Sequence, residues 1–402
     1  MKNLLTMKTI PLVTEIVGNG AALSIPKRMT GNLSCRSPSG DTSKTPEDDV
    51  ITSNTQVGSL YIHVPFCTKK CEYCHFYVIP HTQRHVDLYM EALKKEWELT
   101  QPFLIETLYF GGGTPSLLGK DNIEEILSWL PLKPHAEVTL EANPDSLIAP
   151  PWGVNRLSLG IQAFDDGLLQ KLGRTHSAKK ATLAVSEAHS IGYNNISIDL
   201  MYDLPGQTQD MWEASLRQAF ALPISHISLY NLTIEPHTIF YKKRKTLDLP
   251  SADDSYQMLQ MAIDISQEAG FERYELSAFA KVGRISAHNI GYWTGRPFIG
   301  LGPSACSYWN KTRFRNNPNI HKWAKAVLAG NRAVDFSETL SPFEQAKELL
   351  AIGLRYFKGV ETELGIESLI QEGWIERRNN FLYLTTKGRL FHDTVAEKIM
   401  GL

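Results

Sequence analysis

From Ser59 onward, short apolar strand-like segments alternate with amphipathic helical segments, and this alternation limits the fold more than any other feature. Strands that are separated by helices pair in parallel through right-handed crossovers. Six such units favour an α/β barrel or partial barrel over an open sheet, although the periodicity fits both. The predicted strands are 59–64, 106–110, 137–141, 155–160, 195–200 and 226–232, and the predicted helices include 84–99, 121–130, 178–190, 209–220 and 254–268.

The chain divides into four segments by composition and pattern. Residues 1–56 are rich in Ser, Thr, Pro, Gly and Asn without periodicity, which predicts a disordered N-terminal tail. Its basic residues up to Arg36 also resemble an organelle transit peptide, while the alternatives are a bacterial tail or an upstream start. The partial barrel is expected at 57–285, a connecting segment at 286–336 and a separate C-terminal domain at 337–402.

The C-terminal domain is predicted to be a small winged-helix-like α+β unit. Helices are expected at 342–356 and 361–371, followed by a β-hairpin of 374–378 and 381–386, and then by a final helix. Domains of this kind often bind DNA, but here acidic residues offset the basic ones. A packing or partner role is therefore favoured.

Charge, hydropathy and cysteine usage exclude several classes of protein. The net charge of −2 over 402 residues gives no case for nucleic acid, and no run of eighteen apolar residues predicts an integral membrane segment. Three of the five cysteines fall within eight positions, which argues against a secreted disulfide framework. A metal site in a reducing compartment is expected, and the cytoplasm is the default.

The crowded cysteines are Cys67, Cys71 and Cys74, in the segment YIHVPFCTKKCEYCHFYV at 61–78. Three thiolates at C-x₃-C-x₂-C spacing directly after a strand can hold an iron–sulfur cluster or zinc. Structural zinc prefers four ligands, and no second CxxC pair exists. A zinc-stabilised binding module stays open as an alternative, because a zinc site can be completed by one of the histidines at 63, 75 and 81.

Glycine and polar residues follow the predicted strands at their carboxyl ends, where ligands gather in α/β barrels. Each residue alone is explained by a helix cap or a turn. Their occurrence in order at successive strand ends indicates a shared ligand site. They are Gly112, Gly113 and Thr114 after the second strand, Glu141 after the third, Gln162 and Arg174 after the fourth, and Asp199 in the fifth.

C-x₃-C-x₂-C after a first strand is the signature of the radical S-adenosylmethionine proteins. The runs YIHVPFC, FGGGTPS, EANP, GVNRLSLGIQ, LGRTH, LPGQT and LYNLTIEP, in this order, resemble the oxygen-independent coproporphyrinogen III oxidase family over about 57–402. The resemblance implies a [4Fe–4S] cluster on the three cysteines, with one iron open to S-adenosylmethionine. It implies S-adenosylmethionine contacts at Tyr61, Gly112, Gly113, Thr114, Glu141, Gln162, Arg174 and Asp199.

Two features bear on the branch of this family. True oxidases carry a further cysteine two residues after the third, where this chain has Phe76. Residues 288–293, HNIGYW, match the HNxxYW pattern of the HemW heme chaperones. The branch resemblance implies heme ligation by His288, whereas its chemistry alone favours a structural histidine. Implied partners are heme, apo-hemoproteins and an electron donor such as flavodoxin or ferredoxin.

The alternative is the oxidase itself, which decarboxylates coproporphyrinogen III to protoporphyrinogen IX. The 66 residues ahead of Cys67 fit the oxidase better in length. Asp203 departs from the commoner Gly before Leu-Pro-Gly, which leaves the geometry of that loop undefined. No catalytic residue is assigned from the sequence.

Overall fold

The computed structural model describes residues 57–100, 103–146 and 153–402, and the predicted tail at 1–56 lies outside the described residues. In this part of the chain the strands are β1 (Val57–Val64), β2 (Phe66–Cys67), β3 (Ile79–Pro80), β4 (Leu104–Gly112), β5 (Leu132–Ala142), β6 (Arg156–Gln162), β7 (Ile196–Tyr202), β8 (His226–Asn231), β9 (Glu272–Arg273), β10 (Ala278–Ala280), β11 (Phe298–Leu301), β12 (Cys306–Trp309), β13 (Thr312–Asn316), β14 (Val334–Thr339), β15 (Ile375–Arg378) and β16 (Phe381–Leu384). The helices are α1 (Gln83–Thr100), α2 (Gly119–Trp129), α3 (Asp166–Leu172), α4 (Ala178–Ser190), α5 (Gln209–Phe220), α6 (Ile239–Lys243), α7 (Ala252–Glu268), α8 (Ala287–Trp293), α9 (Ile320–Leu328), α10 (Pro342–Gly353), α11 (Glu367–Gln371), α12 (Thr386–Leu390) and α13 (His392–Met400). Among the described residues, no helix is both long and apolar enough to cross a membrane.

Within the described ranges, twelve strands form one sheet in the order β14-β13-β12-β11-β1-β4-β5-β6-β7-β8-β10-β9. The six predicted strands are β1 and β4 to β8, and they pair in parallel as expected. β11 joins β1 in parallel, and antiparallel strands extend both sides of the sheet. β14 and β9 are its edges, so the sheet does not close into a full barrel, and the predicted α/β fold is confirmed.

The six parallel strands have two chemically different faces because successive side chains point to opposite sides. The outer face is apolar and packs against the helices, as Leu60, Leu108 and Ile198 illustrate. The inner face, defined by the residues between them, is polar and largely buried. It comprises Ser59, Tyr61, His63, Thr107, Tyr109, Gly111, Glu137, Thr139, Glu141, Arg156, Ser158, Gly160, Ser197, Asp199, His226, Ser228 and Tyr230.

The helices of the outer layer begin where capping residues satisfy their first backbone N–H groups. The Thr208 hydroxyl accepts from Met211 N–H at the start of α5, and Ser251 and Asp254 form a reciprocal capping box at the start of α7. The two helices are joined by a buried hydrogen bond of 2.8 Å from the Trp212 indole to the carbonyl of Met258. The caps define where the two helices begin, and apolar contacts hold the outer layer against the sheet.

Helix α8 lies against the inner face instead. The Glu137 carboxylate accepts the backbone N–H groups of Ala287 and His288, at 3.1 and 2.8 Å. The carboxylate pairs two backbone N–H groups that have no partner within the helix, and its negative charge interacts favourably with the positive end of the helix dipole. The part of the inner face near the amino ends of the strands is therefore covered by the chain itself.

The C-terminal residues form their own apolar core around Leu350, Leu382 and Ile399. The predicted hairpin is present as β15 and β16, with Asn379 at a φ of 55° in its turn. The predicted helix at 361–371 is confirmed only for α11, because Val360 pairs with Leu382 and keeps the preceding chain extended. Helices before and after a hairpin agree with a winged-helix-like unit, and the boundary at 337 stays a prediction.

Candidate functional site

The three cysteines lie on a loop at the carboxyl end of β1. Cys67 ends β2, which pairs with β3 through Phe66 opposite Ile79 and Cys67 opposite Pro80, and this short ladder closes the loop. Cys67, Cys71 and Cys74 are half-buried free thiols. Burial raises the pKa of Cys74 to about 12, because a thiolate loses hydration there. A bound metal offsets such a cost by deprotonating the thiol.

The chain at the end of β4, residues 112–114, is called the glycine loop. Its glycines let it lie directly against residues 64–67, which lead into the first cysteine and are called the cysteine strand. Gly113 N–H donates to Val64 O and Thr114 N–H donates to Phe66 O, both at 2.8 Å. A Cβ atom on Gly113 would stand 2.6 Å from Phe66 O, and Gly112 has a φ of +112° against the His63 ring. The glycines therefore hold the loop in register with the cysteine strand.

A chain of polar contacts links two of the thiols, Cys67 and Cys71. The Thr114 hydroxyl lies 3.6 Å from the Cys67 sulfur and accepts from the Asn143 amide at 3.0 Å. The Arg174 guanidinium donates to Asn143 at 2.6 Å, to Gly160 O and to the Cys71 sulfur at 3.6 Å. These contacts join the ends of β4, β5 and β6 to the cysteine loop and place donors and a positive charge beside the sulfurs.

Glu141 ties the inner face to the glycine loop. Its carboxylate accepts the Tyr109 hydroxyl at 2.7 Å and Gly112 N–H at 3.2 Å. Tyr61 stacks beside Tyr109, with ring centroids 6.2 Å apart, and its hydroxyl lies 3.1 Å from His63 Nδ1. The structure thus brings together the predicted residues Tyr61, Gly112 and Glu141.

Two polar atoms of the inner face lack partners. Burial raises the pKa of Asp199 to about 7, against the opposing effects of the Ser228 hydroxyl and of Arg156. Within the described residues, neither Asp199 Oδ1 nor Thr139 Oγ1 has a hydrogen-bond partner. Buried polar atoms are rarely left unpaired, so both are suited to a polar ligand. Gln162 ends β6 at a φ of 71°, which turns the chain at this edge.

His288 lies on the inner face beside Tyr109, and the centroids of these two rings are 5.0 Å apart. Its side chain is only 1% exposed. Nδ1 lies 2.9 Å from the Thr107 hydroxyl and Nε2 lies 2.8 Å from the Tyr292 hydroxyl. Burial, followed by the charge of Arg296, lowers the pKa of His288 to about 3. Both ring nitrogens are therefore engaged inside the protein.

The donor set fits an iron–sulfur cluster with S-adenosylmethionine beside it. Three thiols lie on one loop, and the unpaired Asp199 and Thr139 atoms face a polar interior. In the described part of the chain, no group of three or more His, Cys, Asp or Glu side chains is placed to hold a single metal ion. Cysteines hold an iron–sulfur cluster as a set distributed over its irons and need not converge on one point.

Sequence reasoning missed two residues of the site. Asn143 bridges Thr114 and Arg174, and Tyr109 orients Glu141. Asn143 stands two residues after Glu141 in the EANP run, so its place after a strand was a usable signal. Tyr109 lies inside a strand and carried no such signal.

The chain is similar to known proteins over most of its length. Residues 61–219 match the family model of the Radical SAM superfamily. The heme chaperone HemW of Lactococcus lactis is 34% identical over 369 residues, which cover 85% of this chain and 97% of that protein. HemW of Escherichia coli is 36% identical over 376 residues, which cover 85% and 98%. The solved structure of the coproporphyrinogen III oxidase HemN from Escherichia coli aligns with a TM-score of 0.75 at 23% identity, over 86% of this chain and 90% of that one, and shows the same fold.

Proposed function

Because the chain belongs to the family of radical S-adenosylmethionine proteins that includes the HemW heme chaperones, we propose that it binds heme and delivers it to apo-hemoproteins. The observation that carries the proposal is the similarity to HemW proteins over nearly their whole length. Phe76, where the oxidase pattern has a cysteine, supports the same branch. Membership of the superfamily implies a [4Fe–4S] cluster and S-adenosylmethionine.

The cysteine loop is the proposed place of the cluster, on Cys67, Cys71 and Cys74. When bound, the cluster and S-adenosylmethionine supply one-electron chemistry of a kind that protein side chains lack. The chain's own part is placement. Arg174 sets a positive charge beside the Cys71 sulfur, and the chain of hydrogen bonds through Thr114 and Asn143 keeps the loop in position.

The S-adenosylmethionine contacts are proposed at the strand ends described above. Asp199 and Glu141 suit hydroxyl or amino donors, and Gly112 and Gly113 leave backbone room beside the ligand. Arg174, Thr114, Gln162 and Tyr61 complete the proposed set. An electron donor such as flavodoxin or ferredoxin is part of the same proposal.

Heme ligation by His288 stays a prediction. The Thr107 hydroxyl donates to Ser59 at 2.9 Å, so it accepts from His288 Nδ1–H. Nε2 then accepts the Tyr292 hydroxyl, which occupies the lone pair that iron needs. Ligation by His288 therefore requires α8 to leave its place on the inner face.

Two assays on the anaerobically reconstituted chain test the function. Transfer of heme to an apo-hemoprotein should restore the spectrum of that protein, and reduced chain with S-adenosylmethionine should leave coproporphyrinogen III unchanged. Replacing Cys67, Cys71 and Cys74 by Ala should abolish iron and sulfide binding, whereas Cys306→Ala, which changes a buried cysteine of β12, should not. Production of protoporphyrinogen IX would instead establish the oxidase.

A further inference from the structure

A run of basic residues is exposed at the surface beside the cysteine loop. Residues 241–246, YKKRKT, lie at the end of α6 and in the chain that follows it, and every one of them is exposed. We call residues 241–246 the basic segment. Its four consecutive cations contrast with the net charge of −2 of the whole chain.

Three contacts fix the basic segment against the cysteine loop. Phe240 N–H donates to Glu72 O at 3.1 Å, and the Lys243 ammonium donates to the Glu72 carboxylate at 3.0 Å. The rings of Phe240 and Tyr73 lie with their centroids 6.5 Å apart. Because Glu72 and Tyr73 stand between the second and third cysteines, the basic segment is held next to the thiols.

The cysteine loop adds two cations of its own. Lys69 and Lys70 are exposed, and the Lys70 ammonium donates to Phe76 O at 3.1 Å. Residues 67–75 and 241–248 together contain six Lys or Arg residues and two acidic ones. In the described part of the chain, Lys243 is the one of these six that forms an ion pair, so most of the positive charge faces solvent without a counter-charge.

Apolar side chains lie among these cations. Ile239, Tyr241 and Leu249 are all exposed, and the Arg244 guanidinium stands over the Tyr241 ring, 4.1 Å from its centroid. Apolar side chains with charged groups around them are the usual composition of a protein interface. Polybasic segments also bind anionic membranes, so the composition alone fits two kinds of partner.

The position of the surface favours a protein that carries electrons. A cluster on Cys67, Cys71 and Cys74 receives its electron from another molecule, and that molecule must come close to the cysteine loop. The basic segment is in direct contact with this loop. Complexes that pass electrons are small and weak, and complementary charge guides their formation. Contact with a membrane would require no position beside the thiols.

We propose that the cations of the basic segment and of the cysteine loop form the docking surface for an acidic protein that carries one electron. The assignment rests on the proposed function, and it names the surface at which the electron donor binds. One electron leaves the reduced cofactor of the partner and enters the cluster, so the partner is oxidised, the cluster is reduced and no bond breaks. The positive surface speeds the encounter and orients the partner.

Reduction of the reconstituted chain by flavodoxin hydroquinone, followed by stopped-flow absorbance, tests the assignment. In Lys242→Glu/Lys245→Glu, the second-order rate constant at low salt should fall on the order of 10-fold, because charges at the rim of an interface act on the association rate. The difference should disappear near about 1 M salt, where the Debye length is about 3 Å. Photoreduced deazariboflavin, which is small and uncharged, should reduce both proteins at the same rate.

Lys322→Glu/Lys325→Glu is the matched control. These two lysines are exposed on α9 with the same spacing, and their replacement changes the net charge by the same amount. This variant should react with flavodoxin within about two-fold of the unaltered chain. A carbodiimide, which joins a Lys ammonium to a carboxylate, should cross-link Lys242 or Lys245 to flavodoxin and so report contact independently of electron transfer.

Thermal unfolding and iron content report whether the variants fold, and Lys242→Gln/Lys245→Gln provides a milder change. Equal slowing in both double Glu variants, or slowing in neither, would overturn the assignment. If neither flavodoxin nor ferredoxin reduces the unaltered chain while deazariboflavin does, the assignment is also wrong. Vesicles with phosphatidylserine that bind the unaltered chain but not Lys242→Glu/Lys245→Glu, with equal reduction of both by flavodoxin, would assign the segment to a membrane instead.

Heme transfer is measured separately and distinguishes the two proposals. All of these variants should still pass heme to an apo-hemoprotein if the proposed function is correct and only docking is altered. Failure of the unaltered chain to transfer heme, with charge-dependent reduction by flavodoxin intact, would overturn the proposed function alone.

Discussion

A single methyl group at Gly113 should disrupt the packing of the glycine loop against the cysteine strand. In Gly113→Ala, the new Cβ would stand 2.6 Å from Phe66 O and 3.0 Å from Phe66 C and N. Carbon atoms pack at about 3.5 to 4 Å, so the two segments must separate by roughly 1 Å. This movement strains the two hydrogen bonds of 2.8 Å that join the segments.

The cost of Gly113→Ala has two parts. Overpacking costs about 1–3 kcal/mol, and two weakened backbone hydrogen bonds cost about 1 kcal/mol each. We expect the free energy of unfolding in urea to fall by about 2–5 kcal/mol, since the two parts overlap. Because Phe66 precedes Cys67, the iron and sulfide content after reconstitution should fall as well.

Gly365→Ala is the matched control for this effect. No heavy atom lies within 4 Å of a Cβ at Gly365 and its φ is not in the left-handed region, so the free energy of unfolding should change by less than about 1 kcal/mol. Equal stabilities of Gly113→Ala and Gly365→Ala would refute the reasoning, and so would full iron content in a destabilised Gly113→Ala.

Two further predictions concern single side chains. Arg174→Lys keeps the charge but loses the planar fork that reaches Asn143 and Cys71, so the dissociation constant for S-adenosylmethionine should rise on the order of 10-fold in equilibrium dialysis; an unchanged constant would contradict the positioning role. Burial raises the pKa of Glu96 to about 7, although it accepts Gly302 N–H and the Asn316 amide. Between about pH 4.5 and 7 the folded state therefore binds a proton that the unfolded state has lost, so the free energy of unfolding should fall as the pH rises through this range. Urea unfolding at successive pH values measures this dependence, and the Glu96→Gln variant should lack it.

The parallel part of the fold could be predicted because each strand carries its own signal. Apolar residues on the outer face and the helices that follow specify six units by local pattern alone. β11 was not predicted, since four residues from Phe298 to Leu301 resemble a buried segment of any kind. Its pairing with β1 depends on Ser59, more than two hundred residues away, and no local pattern records it.

The first part of the predicted helix at 361–371 is not helical, for a related reason. The segment has a helical pattern, but Val360 exchanges backbone hydrogen bonds with Leu382 on the hairpin, at 3.0 and 2.9 Å. This pairing extends the sheet of the C-terminal unit and keeps the chain before α11 out of a helix. Tertiary pairing overrides a weak local propensity here.

The histidines show which property of a ligand site cannot be predicted from the sequence. His288 stands in a pattern that resembles a heme ligand, yet its partner Thr107 is 181 positions away and comes from the inner face of the sheet. His85 stands in no such pattern, and its Nδ1–H donates to the carbonyl of Pro80, which leaves a lone pair on Nε2. Whether an imidazole can ligate iron depends on which nitrogen already has a partner, and these partners are set by strand order and helix packing. The sequence therefore specifies that histidines are present, while the fold decides which of them offers a lone pair to solvent.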